Sequence, residues 1–151
     1  MRRRDFITLI GSSLFRPIAA SAQEAGRTYR VAFLTANPHD APQYMVLLDE
    51  LRRNGFVEGQ NMIVYGFGLS NKQFENVAAE SAKQKVDAIV CGGGPATRVA
   101  QQTTSTIPIV AVTDDMIAEG LVRSLSDPGG NTTGISILAP ELDGKRLEIL
   151  M

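Results

Sequence analysis

The feature that most constrains this chain is a repeated change of hydrophobic period. Short β-rich apolar runs, Tyr29–Leu34, Met62–Tyr65, Val86–Cys91, Ile107–Val112 and Thr132–Leu138, alternate with segments whose apolar residues recur at helical spacing. Between the first two runs Tyr44, Leu47, Leu48 and Leu51 define a helix face that Gly55 is placed to stop. Ser70 and Gln73 have the spacing of a capping box, ahead of a face made by Phe74, Val77, Ala78 and Ala82. Gly92-Gly93-Gly94-Pro95 turns the third run into a helix with Pro95 near its first position. A short helix is expected around Ala118–Leu125, then a turn at Asp127-Pro128-Gly129-Gly130-Asn131, and a last helix opening at Pro140 with Leu142, Leu147 and Leu150 apolar. Strand–helix alternation with short loops predicts an α/β fold, a doubly wound parallel sheet covered on both faces. Its crossovers are expected to be right-handed.

The first twenty-two residues stand outside this pattern. Arg3-Arg4-Asp5-Phe6-Ile7 has the paired arginines and following apolar residues of a twin-arginine leader. The apolar stretch Phe6–Leu14 is too short to cross a bilayer, which takes about 20 residues. Ala20-Ser21-Ala22 places small side chains at the −3 and −1 positions, so cleavage is expected between Ala22 and Gln23 by the export machinery. Arg16 weakens the hydrophobic stretch, and the choice between the twin-arginine and general secretory routes stays open. Gln23 rather than a cysteine stands directly after the cleavage site, so the expected product is a soluble periplasmic protein without a lipid anchor.

Residues 1–22 hold four arginines against one aspartate, which leaves a net charge near −4 on the remainder. A nucleic-acid binder would show a basic face instead. The single cysteine, Cys91, ends an apolar run and reads as a buried, inert strand residue.

Ligands of open parallel sheets bind outside the carboxyl ends of the strands. Three loops qualify: Thr35–Gln43, Gly92–Thr97 and Thr113–Met116. Thr35, Asn37, Tyr44, Gly92, Gly93, Gly94, Pro95, Asp114 and Asp115 are the candidate ligand-binding residues. The glycine loop either serves as a tight strand-to-helix turn or presents backbone N–H groups to a carboxylate or phosphate. Of Asp114 and Asp115, one is expected to cap the following helix and the other to meet an ammonium or hydroxyl group. Tyr44 either covers an apolar face of the ligand or lies partly buried in its helix.

No catalytic pattern accompanies these loops. The chain has no G-x-x-x-x-G-K-[ST], no dinucleotide fingerprint and no G-x-S-x-G elbow. His39 has no Cys or His partner at ligand spacing, so neither a metal nor another cofactor is expected. Asn131-Thr132-Thr133 is formally a glycosylation sequon but reads more simply as a turn into a strand.

The ordered motifs resemble a known family. Leu51-Arg52-Arg53-Asn54-Gly55-Phe56-Val57-Glu58-Gly59-Gln60-Asn61, Val86-Asp87-Ala88-Ile89-Val90 with the glycine loop, Ser105-Thr106-Ile107-Pro108-Ile109-Val110, Gly120-Leu121-Val122, Pro128-Gly129-Gly130-Asn131-Thr132-Thr133-Gly134-Ile135-Ser136 and Lys145-Arg146-Leu147-Glu148 carry it. Together they are similar to the ABC-transporter substrate-binding proteins of the type-I periplasmic fold, in the tryptophan/tyrosine-binding-like branch. The resemblance implies two lobes hinged around one small solute, with an amino acid as a candidate, which is delivered to an ABC permease of the inner membrane. On that reading 1–22 is a signal peptide, 23–138 the N-terminal lobe, and 139–151 a crossover helix at the truncated start of the second lobe. Where family members often carry Asp-Pro-Val this chain has Asp115-Met116-Ile117, which leaves the shape of that loop and the identity of the ligand open. The alternatives are a stand-alone flavodoxin- or receiver-like domain, and a non-functional gene fragment.

Overall fold

The computed structural model describes residues 26–137. The leader, its cleavage residues Ala20, Ala22 and Gln23, and the helix expected from Pro140 lie outside them. Eight elements follow in the order β1 Tyr29–Leu34, α1 Pro42–Arg53, β2 Met62–Tyr65, α2 Asn71–Gln84, β3 Ala88–Gly92, α3 Gly94–Thr103, β4 Ile109–Thr113 and β5 Thr132–Ser136. The strands form one sheet, ordered β2-β1-β3-β4-β5, and every pairing is parallel.

Alternate residues of each strand face opposite sides, so the sheet separates two apolar layers. Ala32, Leu34, Ile89, Cys91, Ile109 and Ala111 pack with Phe74 and Ala78 of α2 and Ala96 and Ala100 of α3. On the other face Val31, Phe33, Val64 and Val90 pack with Tyr44, Leu47 and Leu48 of α1. Burying a large apolar side chain such as Phe33 or Ile89 contributes about 1.5–3 kcal/mol. Helices on both faces make the sheet doubly wound, as the period changes predict.

The helix boundaries follow from local chemistry. Pro42 opens α1, where its missing N–H has no intrahelical partner to lose. Arg52 and Arg53 stand in the last turn of α1, at the negative end of the helix dipole. At the start of α2 the Gln73 Oε1 accepts from both the backbone N–H and the hydroxyl of Ser70.

Three expectations need correction. Strand β4 begins at Ile109 rather than at Ile107, because Pro108 has no N–H to give to the ladder. Strand β3 begins at Ala88, since the Val86 N–H is committed to Ser81 O at the end of α2. Strand β5 ends at Ser136.

The helix expected around Ala118–Leu125 is a single turn. Asp115 Oδ1 accepts from the N–H groups of Ile117 and Ala118 at 3.0 and 2.9 Å and nucleates that turn. Gly120, at φ +68°, then takes the chain out of helical conformation. The irregular chain beyond is held from outside. Gln101 Nε2 donates to Leu121 O and Thr132 Oγ1, and Asn131 Nδ2 donates to Thr104 O and Ile107 O. The bond to Leu121 O satisfies a carbonyl that a longer helix would have paired, and those of Asn131 fix the chain before β5 against the start of β4.

Candidate functional site

The carboxyl ends of β1, β3 and β4 point the same way and release their loops side by side. The loop after β1 is held internally and from behind. Thr35 Oγ1 accepts from the Asn37 N–H at 3.1 Å, while Leu69 and Gly68 donate to Thr35 O and Asn37 O at 2.9 and 2.8 Å. Beyond β3, the Gly93 N–H donates to Val112 O at 2.8 Å, which ties the glycine loop to β4. The Gly93 carbonyl accepts from both the backbone N–H and the hydroxyl of Thr97, closing the first turn of α3.

These loops surround a cleft of about 850 Å³, within the range of small-molecule sites. Leu47, Val90, Val112, Ile135 and Ile137 give it an apolar wall, and Asn37, Gln43, Thr113, Asp114 and Glu119 supply polar groups. Of the nine residues expected from sequence, Asn37, Tyr44, Gly92, Gly93, Gly94, Pro95 and Asp114 line it.

The other two do different work. Thr35 is 1% exposed and lies behind the lining, where its Oγ1 accepts the Tyr44 hydroxyl at 2.7 Å. Asp115 caps the turn at Ile117 and Ala118, so of the two adjacent aspartates it is the exposed Asp114 that faces the cleft. Tyr44, only 7% exposed, is held edge-on by Phe33 and Phe67 at centroid distances of 5.6 and 5.3 Å. Its ring belongs to the core between α1 and the sheet, which leaves little of it to cover a ligand.

Glycine at 92 is required by space. A Cβ there would stand 2.8 Å from both Thr35 Oγ1 and Tyr44 Oη. Cys91, next to it, is fully buried, and burial pushes its thiol pKa up to about 12, against the opposing hydrogen bond with Thr97. It is therefore a neutral packing residue.

Glu119 was not legible in the sequence as a site residue. Its side chain is 27% exposed, and its carboxylate lies against Gly94 so closely that a Cβ on that glycine would collide with it. Because Gly93 N–H is bonded to β4 and Pro95 has none, Gly94 and Ala96 supply the first-turn donors of α3. Glu119 thus stands beside the helix end where the glycine loop suggested a ligand carboxylate. The only signal in the sequence was its spacing of four from Asp115, which does not distinguish a solvated glutamate from this one.

Among the described residues no cluster of three or more His, Cys, Asp and Glu is arranged to hold a metal ion. No helix among them is long and apolar enough to cross a membrane.

A parallel α/β lobe with a solute-sized cleft across its strand ends defines a small-molecule-binding class. More particularly, residues 31–150 match the family model of the ABC transporter substrate binding proteins, and the chain belongs to that family. A tyrosine-binding protein of Clostridioides difficile is 34% identical over 90 residues, covering 57% of this chain and 26% of the relative. Among solved structures, a conserved domain protein of Vibrio cholerae is similar with a TM-score of 0.67 at 29% identity, covering 82% of this chain and 43% of that one. A substrate-binding protein with adhesive properties from Clostridium difficile, in a ligand-free open form, has a TM-score of 0.64 at 26% identity, covering 81% and 43%. A Streptococcus pneumoniae ABC domain in complex with L-Trp shares the fold, with a TM-score of 0.61 at 23% identity, covering 72% and 38%. The chain thus spans about a quarter of the curated relative and less than half of each solved one.

Proposed function

We propose that this chain is the first lobe of a periplasmic solute-binding component of an ABC uptake system, and that its solute is an aromatic amino acid. The observation that carries the reading is the convergence of three strand-end loops on one cleft with an apolar wall and a few polar groups. That composition suits a ligand with an apolar body and a charged end. The names of two similar proteins, one tyrosine-binding and one solved with L-Trp, narrow the solute class.

The role is capture rather than chemistry. A solute held here is enclosed when a second lobe closes over it, and its greater affinity for the closed form drives the closure. Handover to a membrane permease follows reopening. Residues 1–22 are read as the export leader and 139–151 as the crossover into the second lobe, so the working location is the periplasm. With the family established, the flavodoxin- or receiver-like reading has no remaining support.

Half of a two-lobed site supplies half of the contacts. Isothermal calorimetry of the 151-residue chain is expected to give binding of L-tyrosine and L-tryptophan weaker than micromolar. Micromolar binding would contradict the two-lobe reading. Mass spectrometry of the exported protein is expected to find Gln23 at its N-terminus, and an intact leader on periplasmic protein would contradict the cleavage site.

A further inference from the structure

Among the described residues, Asp114 and Glu119 are the only charged ones that line the cleft, and both are acidic. Among the described residues Glu119 has an ion-pair neighbour in Arg98. Its guanidinium donates to the Glu119 carbonyl at 2.7 Å but stands 3.9 Å from the carboxylate, and the arginine side chain is half exposed to solvent. The Glu119 carboxylate is held loosely by its other neighbour too, accepting from the Asp115 N–H at 3.5 Å. It nevertheless lies against Gly94, the first residue of α3, so an anion already stands beside that positive helix terminus.

An independent observation lies in the same cleft. Thr113 lines the cleft, is 2% exposed, and its Oγ1 has no hydrogen-bond partner among the described residues. A buried hydroxyl without a partner costs stability, and it can accept from a donor-rich group brought in by a ligand.

We propose that this lobe recognises the cationic end of its solute, with Glu119 as the residue that selects charge. An ammonium group entering beside Glu119 and Asp114 meets two carboxylates and the Thr113 hydroxyl, while the apolar body lies along Val112 and Ile135. An anionic group entering the same place meets like charge at the helix end that would otherwise attract it. The inference rests on the solute-binding reading of the cleft and adds the orientation of the solute and the basis of its selection.

The test uses two probes with one aromatic body and opposite charges, tyramine and 3-(4-hydroxyphenyl)propionate, titrated into the isotope-labelled 151-residue chain. Amide shifts of Gly92, Gly94 and Asp114 report binding. Tyramine is expected to half-saturate them at about tenfold lower concentration than the anion, as a partly solvated charge pair allows. Glu119→Gln is expected to remove most of that preference, and Asp114→Asn part of it, each with the folded spectrum otherwise retained. Equal or better binding of the anion would overturn the charge selection alone. A tyramine preference that survives both substitutions would overturn the role of the carboxylates. Movement of none of these amides by either probe would overturn the solute site itself.

Discussion

The Tyr44 hydroxyl donates to Thr35 Oγ1 over 2.7 Å, and the two oxygens approach the α-carbon of Gly92 so closely that no side chain fits there. One contact thus joins α1, the end of β1 and the end of β3, which are the elements that carry two of the three loops of the cleft. The bond lies in the core beneath those loops.

Removing only the hydroxyl isolates that bond. Tyr44→Phe is expected to cost about 1 kcal/mol, the net worth of one buried hydrogen bond. Tyr44→Ala, which also removes the ring held between Phe33 and Phe67, is expected to cost about 3–5 kcal/mol. Urea unfolding of the two variants beside the parent checks both values, and a Tyr44→Phe cost equal to that of alanine would contradict the account.

Gly92→Ala places a methyl group 2.8 Å from both oxygens. The expected cost is about 1–3 kcal/mol, the usual penalty of overpacking. In the double variant with Tyr44→Phe one of the colliding atoms is gone, so the two costs are expected to sum to less than their separate values. Strict additivity in a double-mutant cycle would show that the crowding lies elsewhere.

The adjacent aspartates separate cleanly. Asp115→Ala is expected to lower stability by about 1 kcal/mol through loss of its cap on Ile117 and Ala118. Asp114→Ala, which removes an exposed cleft residue, is expected to leave stability within about 0.5 kcal/mol and to act on solute binding instead. Thermal unfolding and the probe titrations distinguish the two roles.

Cys91 provides a pH test with a definite sign. The folded protein favours the neutral thiol, whose pKa rises from 9.0 to about 12. Its contribution to stability is therefore fully present below pH 9 and is lost as the pH rises toward 12. Cys91→Ala is expected to flatten that alkaline decline, and the thiol of the parent is expected to stay unreactive toward iodoacetamide at pH 8 until urea unfolds the chain. Rapid labelling of the native protein would contradict its burial.

Much of the architecture could be read from period alone, because a buried parallel strand and an amphipathic helix impose different spacings on their apolar residues. The strands and the helices α1 and α2 were legible in this way, and α3 from the Gly92–Pro95 turn that opens it. The segment after β4 was not. Ala118–Leu125 carries helical spacing, yet the Asp115 cap and Gly120 close it after one turn, and its carbonyls at Glu119 and Leu121 are held by Arg98 and Gln101 from α3. Such long-range bonds leave no local pattern. The same holds for the site: the loops could be named from the strand ends, but burial of Thr35 and the approach of Glu119 to Gly94 depend on tertiary packing.

The central claim is that the cleft at the strand ends holds an aromatic amino acid. Backbone amide shift mapping of the 151-residue chain with L-tyrosine tests it most directly. The expected result is saturable, weak binding confined to Asn37, Gly92–Gly94 and Thr113–Asp114. Shifts on another face of the sheet, or none at these amides up to the solubility of the ligand, would contradict it.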